Sequence, residues 1–114
     1  MPNAAKELEF ILSQHDAKLL AADIYTDPYY EEEPLKTAVL PLNYTEQQLE
    51  KFWQDLARIE YDNGYGNQEL FGTVWLTDNA WLSREEYDGS EWWEHNQYPQ
   101  YTNDVLHSQK ETDQ

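Results

Sequence analysis

The 114-residue chain contains no cysteine, one methionine, four glycines and only seven lysines and arginines. Without cysteine there can be no disulfide, no thiolate metal ligand and no cysteine nucleophile, a composition that suits a reducing cytoplasm. The few cations face 23 aspartates and glutamates, giving a formal charge of −16 and a sequence pI of about 4.2. Such a field repels nucleic acid and anionic membrane and steers the chain toward basic surfaces. No apolar run approaches the ~18 residues of a membrane span, and MPNAAKELEF lacks the basic-then-apolar order of a leader. The expectation is a cytoplasmic protein whose partner is basic, as monomer or homodimer.

What is present is enough to fold. Hydrophobic residues make up 39% and aromatics 15%, so the charge does not make this a disordered acidic tail. The length suits one domain, expected over residues 1–104, with 105–114 as a polar tail. Asn3 can cap a helix over residues 4–15, where Leu8, Ile11 and Leu12 recur at helical spacing. Residues 18–26 alternate and predict a strand that Asp27-Pro28 ends. After the polar YYEEEP loop, residues 35–43 return as an antiparallel partner, with Pro41 requiring an edge or a bulge. Thr45 and Gln48 form a capping box ahead of the Leu49, Phe52, Trp53, Leu56 stripe.

Residues 61–68, YDNGYGNQ, read as a loop, and a three-stranded meander follows from Leu70. Asp78-Asn79 and Asp88-Gly89 are two-residue turn signals. Counting outward pairs Leu76 with Trp81 and Trp75 with Leu82 in the first hairpin. In the second it pairs Glu85 with Trp92, Arg84 with Trp93 and Glu86 with Glu91. The fold class is α+β, two helices packed on an antiparallel sheet.

Catalytic chemistry finds little footing. His15, His95 and His107 stand in no metal-ligand spacing, and no serine lies in a nucleophile elbow. The glycines of YDNGYG lack the lysine and following helix of a phosphate loop. Asp62, Asn63 and Asp88 do not reproduce a calcium loop. Glu85, Glu86, Glu91 and Glu94 could be weighed as glycosidase acid and base beside stacking tryptophans, but so dense a cluster shifts proton affinities diffusely instead of separating one acid from one base. The expectation is a protein without catalytic residues, metal or cofactor.

The binding signal lies in residues 84–95, REEYDGSEWWEH, where five carboxylates and two tryptophans surround one cation, Arg84. Consecutive strand residues face opposite ways, so only one of Trp92 and Trp93 can enter the core. The other is a candidate anchor for a partner. Trp53 and one of Trp75 and Trp81 read as core. Carboxylates two residues apart on a strand repeat at about 7 Å, near the spacing of DNA phosphates. Glu85, Glu86, Asp88, Glu91 and Glu94 are therefore expected to form the main partner-binding face, with Glu31, Glu32 and Glu33 second. A solubilising acidic surface is the plain alternative.

The segments YDNGYG, QELFGTVW and REEYDGSEWWE, within residues 61–94, resemble a group of small acidic proteins of prophages and mobile elements. By size and charge the chain is similar as a class to phage-encoded DNA mimics, the antirestriction and anti-CRISPR inhibitors. The resemblance implies a host-cell inhibitor that binds no nucleic acid itself and blocks a basic nucleic-acid-binding protein or nuclease complex. An immunity-type or regulatory partner of one basic protein is the alternative reading, and a carbohydrate-active enzyme is the second.

Overall fold

The computed structural model describes residues 2–27, 35–61, 68–99 and 101–106. The elements are α1 (Ala4–Ser13), β1 (Leu19–Thr26), β2 (Thr37–Leu40), α2 (Glu46–Ala57), β3 (Leu70–Leu76), β4 (Ala80–Tyr87) and β5 (Ser90–Gln97). One further helical turn covers residues 103–106, so the expected boundary after residue 104 falls inside it. Glu31, Glu32 and Glu33, most of the 61–68 loop, His107 and the rest of the tail lie outside the described residues.

Both helices begin where the caps require. Asn3 Oδ1 accepts from the backbone N–H of Ala5 and Lys6 at 3.0 and 3.2 Å. Asn3 Nδ2 donates to Ala57 O at 2.8 Å, so one side chain starts α1 and also holds the end of α2. Helix α1 stops at Ser13, two residues before the periodicity suggests, because Gln14 and His15 bond back to Ile11 and Leu12 in a tightened final turn. In α2 the Thr45 and Gln48 side chains satisfy each other's backbone N–H at 3.1 and 2.8 Å, a cap worth about 1 kcal/mol.

The five strands form one antiparallel sheet in the order β2-β1-β3-β4-β5. Period-2 alternation sends Ala22, Ile24, Ala38, Leu40, Leu70, Val74, Leu76, Ala80, Leu82 and Trp93 to one face. Ala4 and Leu8 of α1 and Phe52 and Leu56 of α2 complete that core, and Trp53 packs half-buried against it. Strand β2 is an edge strand and ends at Leu40, where Pro41 has no N–H to offer a ladder.

The second hairpin has the expected register. Tyr87 pairs with Ser90, Glu86 with Glu91, Glu85 with Trp92 and Arg84 with Trp93. Asp88 and Gly89 both take positive φ, 52° and 85°, as a type I′ turn requires. The first hairpin corrects the expectation by one residue: Trp75 pairs with Trp81, Leu76 with Ala80 and Val74 with Leu82. Asp78 and Asn79 do take the positive φ values of a turn, 66° and 59°, but Thr77 joins the loop. Thr77 is held instead by Lys18, N–H to carbonyl at 2.9 Å and hydroxyl from amide at 2.8 Å. The reason is hydrophobic. Only this register puts Val74, Leu76, Ala80 and Leu82 on the helix side together. Its consequence is that Trp75 and Trp81 both lie on the far side, so neither is the core residue expected of the pair.

Gly72, within β3, has φ 136°, and a Cβ there would lie 2.1 Å from the Asp23 carbonyl oxygen. Backbone packs where a side chain would stand, which draws β1 and β3 together at mid-strand.

Candidate partner-binding face

The core accounts for one face of the sheet, where α1 and α2 pack, and leaves the other to the strands' remaining side chains. Register orders this open face into rows. One row runs Ala21, Trp75, Trp81, Asn96, and the next runs Val39, Asp23, Thr73, Ser83, Glu94. Beyond it lie Tyr25 and Phe71 on β1 and β3, and Glu85 and Trp92 on β4 and β5. The Tyr25 and Phe71 rings stack at 5.7 Å, and Tyr98, just past β5, packs on Trp81 at 4.8 Å. Trp75 is 45% and Trp92 39% exposed. Two aromatic rows thus flank a polar one.

The polar groups of the face are tied to each other. Ser83 Oγ donates to Glu85 at 2.9 Å and accepts from Asn96 Nδ2 at 3.0 Å. Glu94 accepts the Trp92 indole N–H at 2.9 Å, which fixes that ring on the surface. The Asp23 carboxylate makes no hydrogen bond or ion pair among the described residues. No strand position of this face is lysine or arginine. Toward β2 the face deepens into an apolar groove of ≈ 480 Å³, bordered by Leu20, Val39, Pro41, Leu42 and Trp75.

The expected site residues divide between the two faces. Trp92, Glu85 and Glu94 are on the open face, Asp88 is in the exposed turn, and Glu86 is exposed beyond the helices, its carboxylate accepting from Gly89 N–H at 3.0 Å. Trp93 points inward and is 5% exposed. Glu91, expected on the acidic surface, is also buried, and this corrects its assignment. Its Oε1 accepts from Arg84 Nη2 at 2.8 Å, Arg84 Nε at 3.0 Å and Leu70 N–H at 3.1 Å, while Oε2 accepts from Glu69 N–H at 2.9 Å. The carboxylate is an internal clamp on the start of β3. A carboxylate on the helix side of a sheet must find such partners or leave the charge unpaired.

Arg84, the lone cation of its stretch, is the hub of that clamp. It also donates to Glu7 of α1, and its guanidinium lies 4.9 Å from the Tyr61 ring centroid and 5.2 Å from that of Trp93. Burial is the largest single influence and works against its charge, but the Glu7 carboxylate and the Tyr61 phenol together reverse it, and the pKa is raised. The Tyr61 hydroxyl donates to Glu7, and burial first, then that hydrogen bond, push the phenol upward. The network joins α1, β3, β4 and β5. A signal for it was present in the sequence, since Arg84 and Glu91 share a face in the second-hairpin register.

A second unforeseen contact is the stack of His15 on His95, ring centroids 3.9 Å apart and planes 7° from parallel. Neither is the plain surface histidine expected. Burial, and then the His15 ring, lower the pKa of His95.

The chain matches no family model, no curated protein and no solved structure. Among the described residues no helix is long and apolar enough to cross a membrane. None of their histidines, aspartates and glutamates gather in a metal-ligand cluster.

Proposed function

We propose that this protein is a non-enzymatic inhibitor that covers a basic, nucleic-acid-binding surface of another protein, with the open sheet face as the contact. One observation carries the reading: exposed aromatic rings and the carboxylates of Asp23, Glu85 and Glu94 share the sheet face opposite α1 and α2, none of whose strand positions is lysine or arginine. Rings supply area that binding desolvates, and carboxylates select a cationic partner in place of phosphates. A host defence nuclease or effector complex in the cytoplasm is the kind of partner this charge suits. A second reading, an immunity-type cap on one basic protein, is favoured by Trp92, an exposed ring held in place by its own hydrogen bond to Glu94.

The test is capture of partners from host lysate, followed by competition with duplex DNA or guide RNA and by a salt titration. Groove mimicry weakens steeply with ionic strength and yields to nucleic acid, whereas a Trp-anchored cap does neither. Asp23→Asn, Glu85→Gln and Glu94→Gln together should abolish capture in the first case. Trp92→Ala should cost about 2 kcal/mol or more in the second. Capture unaffected by either set of changes would refute both.

A further inference from the structure

Given a basic partner on the open face, the geometry points to the form of chain that partner presents: an extended segment crossing the strands along the Asp23, Thr73, Ser83, Glu94 row, with two arginines four residues apart. This rests on the reading of the open face as the contact and adds a spacing to it.

The row fixes the distance. Neighbouring strands lie about 4.8 Å apart, so the three steps from β1 through β3 and β4 to β5 separate Asp23 from Glu94 by about 14 Å. An extended chain rises about 3.4 Å per residue and alternates its side chains, so residues i and i+4 point the same way about 14 Å apart. One cation then meets Asp23, whose carboxylate has no partner among the described residues. The other meets the Glu94 carboxylate, whose one hydrogen bond among the described residues is from the Trp92 indole N–H. Residue i+2 falls over Thr73 and Ser83, two hydroxyl side chains suited to a small or polar group.

The aromatic rows act as walls along the same line. Trp75 and Trp81 stand on one side and Tyr25, Phe71 and Trp92 on the other, each about 7 Å along its strand from the polar row. That is within the reach of a long cationic side chain whose stem leans toward a ring. Arginine fits better than lysine, because its planar guanidinium can stack on a ring and pair with a carboxylate at once. A second copy of this chain is the wrong occupant, since each copy carries −16 and no strand position of the face offers a cation to another's carboxylates.

The experiment uses the full ¹⁵N-labelled chain and follows its indole N–H signals during titration with isomeric peptides. All carry two arginines in a serine and threonine background, spaced i,i+3, i,i+4 or i,i+5. The i,i+4 peptide is expected to bind about fivefold more tightly than its isomers, as one additional ion pair would give. Trp75, Trp81 and Trp92 should shift while buried Trp93 does not, and Asp23→Asn or Glu94→Gln should each erase the preference. Equal affinity of the three isomers, or no binding by any, overturns the spacing. Poly-arginine then tells the two failures apart: if it shifts the open-face indoles the basic-partner reading stands, and if it leaves them unmoved that reading falls as well.

Discussion

Replacing Glu91 with glutamine separates two views of the acidic hairpin, because they predict opposite signs. If Glu91 were one of several repelling surface charges, removing its charge opposite Glu86 would leave stability unchanged or raise it by a few tenths of a kcal/mol. The structure makes it the acceptor of four hydrogen bonds, two of them from Arg84. Glutamine keeps the shape but has one acceptor oxygen. If that oxygen stays with Arg84 and Leu70, the new NH₂ faces the Glu69 N–H, donor against donor, and the Arg84 charge loses its closest fully buried counter-ion. Removing one partner of a buried pair costs about 3–5 kcal/mol, and since Arg84 retains Glu7 the lower end applies, about 3 kcal/mol. For a chain of this length that lowers Tm by about 10 °C. Urea unfolding followed by tryptophan fluorescence measures it, with Glu94→Gln as the surface control expected within about 0.5 kcal/mol of the parent. A Glu91→Gln protein as stable as Glu94→Gln would refute the buried clamp.

Three further outcomes are expected. Gly72→Ala should destabilise by about 2 kcal/mol or more in the same unfolding assay, because a Cβ at φ 136° meets the Asp23 carbonyl. Gly89→Val should cost about 1 kcal/mol or more in thermal melting, since the turn needs positive φ there. Stability should also fall as the medium is acidified below the ordinary histidine pKa of about 6.5. His95 is lowered in the folded state, so the unfolded chain binds the proton first, and the contribution present at neutral pH is lost as pH falls through the folded pKa. His95→Gln should flatten that part of the melting-temperature profile, and an unchanged slope would show that the stacked pair is not its source.

Local chemistry was legible wherever a few neighbouring residues decide the outcome. The α2 capping box involves Thr45 and Gln48 only, and the Asp88-Gly89 turn fixes the second hairpin by its demand for positive φ. The edge position of β2 follows from Pro41, a residue that cannot join a ladder. Asp78-Asn79 misled because its backbone does turn there while Thr77, bonded to Lys18 some sixty residues earlier, shifts the strand pairing by one. No short window contains that contact. The shift put both Trp75 and Trp81 on the open face, where the expected register would have put one.

From the sequence alone came an α+β domain, the helix starts, the second hairpin's register and the excess of negative charge, because each depends on composition or on residues close in the chain. Tertiary structure decided which charges the surface keeps. It drew Glu91 inward to Arg84, brought Glu7 and Tyr61 to the same cation from far along the chain, and left Asp23, Glu85 and Glu94 on the face opposite the helices α1 and α2, beside Trp75, Trp81 and Trp92. Which side of a sheet is buried is settled by the helices that pack on it, and that depends on the apolar surface of all seven elements together.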